Sequence, residues 1–357
     1  MSGELSINLT KSPKQKPQDE NQLGFGTIFT DHMFVMDYEV GKGWHNASIL
    51  PYGPFSMEPS TMVLHYGQAI FEGMKAYRTV DGKVKIFRPR DYLARMNRSA
   101  DGLCIPHIDT EFVFKALKKL ISIDKDWIPS KEGTSLYIRP FIIAMDPYVG
   151  VRPSHTYKFF IILSPVGAYY PEGFKPVKIW VETNYVRAVK GGLGFAKTPA
   201  NYAASLKAAE EAKANGYTQV LWLDGIEKKY IEEVGTMNIV FKIDNKIITP
   251  PLEGSILGGM TRDSVIRVAR DWGMEVREQQ LTIDQVYEAH ANGTLQEIFG
   301  TGTAAVVSPV SSLNWAGKVI TINNGDAGET ALKLYDDIAG IQYGKLPDKF
   351  NWMEEVE

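Results

Sequence analysis

Three features of the 357-residue sequence predict a two-domain fold of the α+β / α/β type. The chain is more than twice as long as a common domain, and its 44% hydrophobic residues can fill a sizeable core. Gly and Pro cluster in "GAYYPEGFKPVK", residues 167–178, between two β-rich runs, as a connection between domains would. Helical and strand patterns are interleaved on both sides of that cluster. These features predict a mobile N-terminal tail at 1–22, a small α/β domain at 23–170, a linker at 171–183 and a larger domain at 184–357.

In the first half, 84–86, 136–143 and 158–163 read as strands, and 90–103 and 110–123 as helices. In the second half, Thr198 and Pro199 suit the N-cap and first position of a helix. Its apolar spacing is Leu206, Ala209 and Ala212, and Gly216 ends it. "TQVLWLD" reads as a buried strand and 238–248 as a hairpin. Thr261 then precedes Val265, Val268, Ala269 and Trp272 at helical spacing, with Gly273 closing the element. Thr282 and Gln285 form a capping-box pattern for a further helix.

The net charge of -3, from 39 basic and 42 acidic residues, leaves no basic footprint for nucleic acid or an anionic membrane, so small molecules are the expected partners. One cysteine, Cys104, permits no internal disulfide and no multi-thiolate zinc site; it reads as a buried small apolar residue. The N-terminus has no apolar h-region, and the run 159–163 is far too short to span a bilayer. A cytoplasmic protein is expected.

Chemistry concentrates at "GGLGFAKTPANYAAS", residues 191–205, where Lys197 lies between glycines and a helix start. The spacing nearly spells a P-loop, G-x-x-x-x-G-K-[ST], but Ala196 replaces the last glycine and no strand clearly feeds the turn. A Schiff-base lysine is the alternative, and pyridoxal phosphate is a carbonyl partner with needs that can be checked. Its phosphate requires helix N-termini and an arginine, its ring nitrogen a carboxylate, and its phenolic oxygen a donor. "GSILGGMTR" and "GTGTAA" are further glycine turns able to cradle phosphate.

Taken together and in order, "GGLGFAKTPANYAAS", "EEVGTMN", "GSILGGMTRDSV" and "IFGTGTAAVVSPV" resemble the branched-chain amino acid aminotransferases, fold-type IV enzymes that use pyridoxal phosphate. "FGTIFTDHMF", "LHYGQAIFEGMKAYR", "KIFRPRDYLARMNRSA" and "SLYIRPFI" resemble the small domain of the same family. The resemblance implies a small α/β domain with a larger pseudo-barrel domain that binds pyridoxal 5'-phosphate. It implies amino transfer from leucine, isoleucine or valine to 2-oxoglutarate in a ping-pong cycle, by a homodimer. D-amino acid aminotransferases and aminodeoxychorismate lyases share the fold and cofactor, but "HYGQAIFEGMKAY" and "SLYIRP" argue against them.

By this resemblance Lys197 is the Schiff-base lysine and the acid-base catalyst. Glu233 meets the pyridine nitrogen, Tyr202 the phenolic oxygen, Arg88 the phosphate, and Arg187 is a second arginine of the cofactor pocket. Met260 and Thr261 complete the phosphate cup. Phe25, Tyr66, Phe71, Tyr137, Tyr169 and Thr236 fall on matching positions of the substrate pocket, Thr236 bordering the cofactor. Arg139 acts beside Tyr66, while Thr303 and Ala304 bind the α-carboxylate by their backbone, Thr303 also reaching the cofactor. Val149 and Val151 belong to a loop over the partner subunit's pocket. Glu232, Arg90 and Arg95 read as solvated surface residues. "KTPANY" departs from K-x-G-G-N-Y at Pro199 and Ala200, which predicts a stiffer turn with retained chemistry. Gly258 stands where proline is common, and Ala305 and Ser308 stand where some members carry a Cys-x-x-Cys pair.

Overall fold

The computed structural model describes residues 4–167 and 174–356. They divide into two compact units: 1–171 with 196–199 and 341–357, and 172–195 with 200–340. In chain order the first unit carries β1 (Ser6–Ile7), β2 (His32–Glu39), β3 (Gly43–Pro51), α1 (Met62–Tyr66), β4 (Ala69–Phe71), β5 (Met74–Arg78) and β6 (Val84–Phe87). It continues with α2 (Pro89–Gly102), α3 (Thr110–Ile123), β7 (Ser135–Ala144) and β8 (Thr156–Val166). There follow β9 (Val177–Val181), α4 (Pro199–Ala203), α5 (Leu206–Ala214), β10 (Gln219–Leu223), β11 (Ile231–Val234), β12 (Met237–Ile243) and β13 (Lys246–Thr249). Last come α6 (Met260–Asp271), β14 (Val276–Glu278), α7 (Ile283–Ala291), β15 (Leu295–Gly302), β16 (Val306–Trp315), β17 (Lys318–Thr321), α8 (Glu329–Gln342) and β18 (Met353–Glu355).

In the first unit the strand order is β1-β3-β2-β8-β7-β5-β6-β18, with β4 added on β7. β8 is central and paired on both edges, which is why "FFIIL" is continuously apolar, as a strand with covered faces must be. α3 follows its apolar spacing, burying Val113, Phe114, Leu117, Leu120 and Ile121 on one face, and Asp109 caps it through the Glu111 and Phe112 amides. In the second unit β11-β10-β9-β16-β15-β12 close into a ring, because β12 also pairs with β11; β13 and β14 extend it and β17 adds to β16. Closure leaves no free edge among those six strands and buries all of β11.

Several expectations need revision. Residues 6–20 are tied down: β1 pairs with β3, the Thr10 amide donates to His32 Nε2 at 3.0 Å, Lys14 donates to Asp31, and Glu20 accepts from the Ser130 and Lys131 amides. The expected linker 171–183 contains β9 from Val177 onward. The helix expected from Pro199 is broken, because the Ser205 amide and hydroxyl both turn back to the Tyr202 carbonyl. The break turns Ala208 and Ala212 inward and leaves Leu206 exposed. α6 begins at Met260, so that Gly259 is its N-cap and Thr261 already lies within the first turn. Cys104 is exposed, with φ of 53°.

Arg95, expected in solvent, is buried with Glu72 in a two-pronged ion pair, Nε to Oε1 and Nη2 to Oε2, both 2.7 Å. Glu72 is fully buried between β4 and β5, so the pair fixes α2 on the sheet beside the strand that carries Phe71. Arg90 is half exposed, paired with Glu111 and Glu354. Glu72→Gln should leave the Arg95 guanidinium buried without its counter-charge and cost about 3–5 kcal/mol. Urea unfolding of the variant measures this; a loss below about 1 kcal/mol, as for a surface pair, would contradict it.

Candidate active site

Lys197 stands in the four-residue stretch 196–199 that groups with the first unit. Its backbone is pinned from both sides: the amide donates to Ser99 Oγ of α2 at 2.9 Å, and the carbonyl accepts from the Phe71 amide of β4 at 3.0 Å. Thr198 is fully buried and its hydroxyl donates to the Ala69 carbonyl at 2.9 Å. The lysine therefore extends from a rigid, strand-like segment. Its Nζ lies 5.0 Å from the centre of the Phe71 ring, and the Arg139 guanidinium lies 4.8 Å from the same ring.

An aromatic and cationic group surrounds this ring. Arg139 Nη2 donates to the Tyr137 hydroxyl at 2.8 Å, and Phe25 meets Tyr137 edge-on at 5.0 Å. A Cβ on Gly73 would come within 2.1 Å of the Tyr137 hydroxyl, so the glycine makes room for that phenol. The structure thus gathers Lys197, Phe71, Arg139, Tyr137 and Phe25. Tyr66 is 40% exposed at the end of α1. Arg88, buried at the start of α2 with φ of 52°, pairs through Nε with Asp91 at 2.6 Å and faces the Trp352 ring. Tyr169 lies outside the described residues.

Val149 and Val151 are exposed on the loop after β7, and Asp146 ties that loop down. Its Oδ1 accepts from the Thr156 amide and hydroxyl, its Oδ2 from the His155 amide and Arg152. Burial alone would raise the carboxyl's pKa, but these four donors prevail and bring it down to about 2.

In the second unit Glu233 of β11 is buried, its Oε1 accepting from the Leu257 amide at 2.8 Å and its Oε2 3.3 Å from Arg187 Nε. Arg187 is held in turn by the Ser255 carbonyl. Asn238, opposite Glu233 on β12, donates to the Leu257 carbonyl at 2.8 Å, and its Oδ1 fills the space a Cβ on Gly259 would occupy. One loop, 254–259, is thereby fixed against β11 and β12 and delivers the N-terminus of α6 at Met260 and Thr261, both buried. A helix start aims backbone N–H groups and the positive end of its dipole outward, a site for an anion. Thr303 and Ala304 form the half-buried turn between β15 and β16, and Thr236 is exposed in the turn between β11 and β12. Tyr202 is half buried in α4.

The sequence matches the family described as Amino-transferase class IV over residues 69–313. The chain belongs to this family. It is 60% identical over 352 residues to "Branched-chain-amino-acid aminotransferase 2" of Bacillus subtilis (strain 168), covering 99% of this chain and 97% of that protein. It is 52% identical to a "Probable branched-chain-amino-acid aminotransferase" of Staphylococcus aureus (strain N315), covering 99% and 98%. Among solved structures, the Escherichia coli branched-chain amino acid aminotransferase superposes with a TM-score of 0.77 at 27% identity, over 92% of this chain and 99% of that one. The branched-chain amino acid aminotransferase of the source abbreviated T.th., crystallised with pyridoxamine 5'-phosphate, superposes with a TM-score of 0.76 at 30% identity, over 91% and 98%. This class IV aminotransferase therefore has the fold-type IV architecture.

Sequence reasoning missed four groups around Glu233: Asn238, Ser255, the Leu257 amide and the neighbouring Glu232. Glu232 is buried, not solvated; its Oε1 accepts from the Ser255 hydroxyl. Adjacent residues of a strand face opposite sides, so "EE" on a strand with both faces covered was the available signal.

The Asp146 carboxylate has a folded pKa below its ordinary 3.8, so its stabilisation is complete above that value and disappears as pH falls toward 2. Asp146→Asn should therefore be about 2 kcal/mol less stable than wild type near neutral pH, with the gap closing through that acidic window. Urea unfolding of both proteins across pH measures it; a gap independent of pH would contradict the assignment.

Proposed function

We propose that this chain is a branched-chain-amino-acid aminotransferase that uses pyridoxal 5'-phosphate to move the amino group of leucine, isoleucine or valine to 2-oxoglutarate. The 60% identity over nearly the whole length to a protein of that name is the observation that carries the reading. The residues present fit the cofactor. Glu233 offers a buried carboxylate fixed by an amide and a guanidinium, as a protonated ring nitrogen requires. The glycine-tight start of α6 suits a phosphate, with Met260 and Thr261 in its first turn, and Arg88 adds a guanidinium. Lys197 supplies the amine that binds it, and Tyr202 a phenol for its phenolic oxygen.

Pyridoxal phosphate, when bound, supplies an electron sink for the pair left at the substrate Cα and a carrier for the amino group. The chain supplies the rest. Lys197 Nζ takes up and returns the Cα proton, from a backbone that cannot slide because Ser99 and Phe71 hold it. Arg187 supplies counter-charge to Glu233, and Ser255 keeps Arg187 in place. Phe25, Phe71, Tyr66 and Tyr137 give a branched side chain aromatic walls, with Tyr169 and Thr236 as further pocket positions. Arg139, paired with the Tyr137 phenol, gives the second carboxylate of glutamate a cationic partner. Thr303 and Ala304 present their turn to the α-carboxylate. Such a pocket separates leucine, isoleucine and valine weakly, a methylene being worth about 1–3 kcal/mol.

The functional unit in this reading is a homodimer, in which the exposed Val149 and Val151 are covered by the second copy. No helix among the described residues is long and apolar enough to cross a membrane. A cytoplasmic enzyme without nucleic-acid partners fits this.

Wild-type protein loaded with cofactor should show a visible absorption band that Lys197→Ala lacks. That variant should lose at least about 10²–10⁴-fold in kcat, the usual worth of a positioned acid-base group. Glu233→Ala should still take up the cofactor yet turn over leucine with 2-oxoglutarate far more slowly. A colourless wild type, or near-normal turnover by Glu233→Ala, would refute the assignment.

A further inference from the structure

Behind the cofactor-facing carboxylate, the second unit holds a cleft of about 220 Å³ that no step above uses. Glu232 lines it from the face of β11 opposite Glu233. Asp224, Glu227 and Glu253 stand around it with a single ammonium, Lys190, while Ile226, Ile256 and Pro251 form an apolar wall.

These carboxylates are not equivalent. Asp224 is saturated: Oδ1 accepts from the Lys229 and Tyr230 amides, Oδ2 from those of Ile226 and Glu227. Glu253 faces Lys190 at 3.9 Å and accepts from Gln280. Glu232 is different. It is 7% exposed, Oε1 is engaged by the Ser255 hydroxyl, and Oε2 has no hydrogen-bond partner among the described residues. A buried carboxylate oxygen without a donor is costly. Burial pushes the Glu232 carboxyl up from its ordinary value, against the pull of Ser255 and Arg187.

What would complete the site must donate hydrogen bonds, carry positive charge against the surrounding acids, and present a short apolar part to the isoleucine and proline wall. A metal ion fits poorly, since among the described residues no group of three His, Cys, Asp or Glu side chains could hold one. A primary ammonium has three donors on one small charged head. We propose that the cleft is a second small-molecule site, taking a primary alkylammonium compound whose ammonium donates to Glu232 Oε2 and whose alkyl part lies along Ile226, Ile256 and Pro251. Ser255 links this site to the catalytic carboxylate, bonding Glu232 through its hydroxyl and Arg187 through its carbonyl.

The test is calorimetric titration of the full chain, loaded with pyridoxamine 5'-phosphate so that no cofactor carbonyl competes for amines. The probe is n-butylammonium chloride, with n-butanol as the uncharged comparator. Saturable binding of the ammonium and not of the alcohol is expected, weakened about tenfold or more in Glu232→Gln by loss of a charge-assisted bond. Ile226→Lys, at a position 80% exposed beside the cleft, should weaken binding as strongly by placing its own ammonium there. Absence of saturable binding, meaning water only in the cleft, would overturn the proposal. So would equal affinity in wild type and Glu232→Gln, or undiminished binding by Ile226→Lys.

Discussion

The second unit depends on one buried ion pair, Arg187 with Glu233, inside a closed ring of strands. A carboxylate so deep is tolerable only with a counter-charge and a hydrogen-bond donor, and Arg187 and the Leu257 amide provide them. Each provider is itself fixed: Arg187 by the Ser255 carbonyl, and the Leu257 peptide by Asn238. The loop 254–259 is thus shaped by what the carboxylate needs, and the start of α6 follows from the loop. Two requirements of one cofactor, a base for the ring nitrogen and a cradle for the phosphate, are met by a single set of constraints.

The first unit constrains Lys197 in the same way. Neither end of that residue's backbone is left to a flexible loop, since α2 and β4 each take one of its peptide groups. The Glu72–Arg95 pair stands behind this arrangement, holding α2 to the sheet next to β4. Pro199 and Ala200, where many relatives have glycines, follow directly on the pinned segment. A stiff turn suits a position whose predecessors are already immobile, and Pro199 at the first position of α4 needs no amide partner within the helix.

What could be read from the sequence was whatever contiguous residues determine. The helix at 110–123, the Thr282–Gln285 capping box, the β12–β13 hairpin and the long motifs around Lys197 and Glu233 each depend on near neighbours. What could not be read depends on distant strands meeting. Glu232 is buried because β11 closes the ring between β10 and β12, with Glu233 facing Trp222 on one side and Asn238 on the other. Arg95 is buried because Glu72, 23 residues earlier, arrives beside it. The break between α4 and α5 was missed because a serine hydroxyl competes locally with the helical bond, which apolar spacing does not register.

The measurement that bears most directly on the proposed function is an initial-rate profile across L- and D-amino acids, with added pyridoxal phosphate and 2-oxoglutarate as acceptor. An aromatic pocket with the Arg139–Tyr137 pair predicts comparable, productive turnover of L-leucine, L-isoleucine and L-valine, with little of the D-enantiomers. Turnover of D-alanine without that of L-leucine would contradict it.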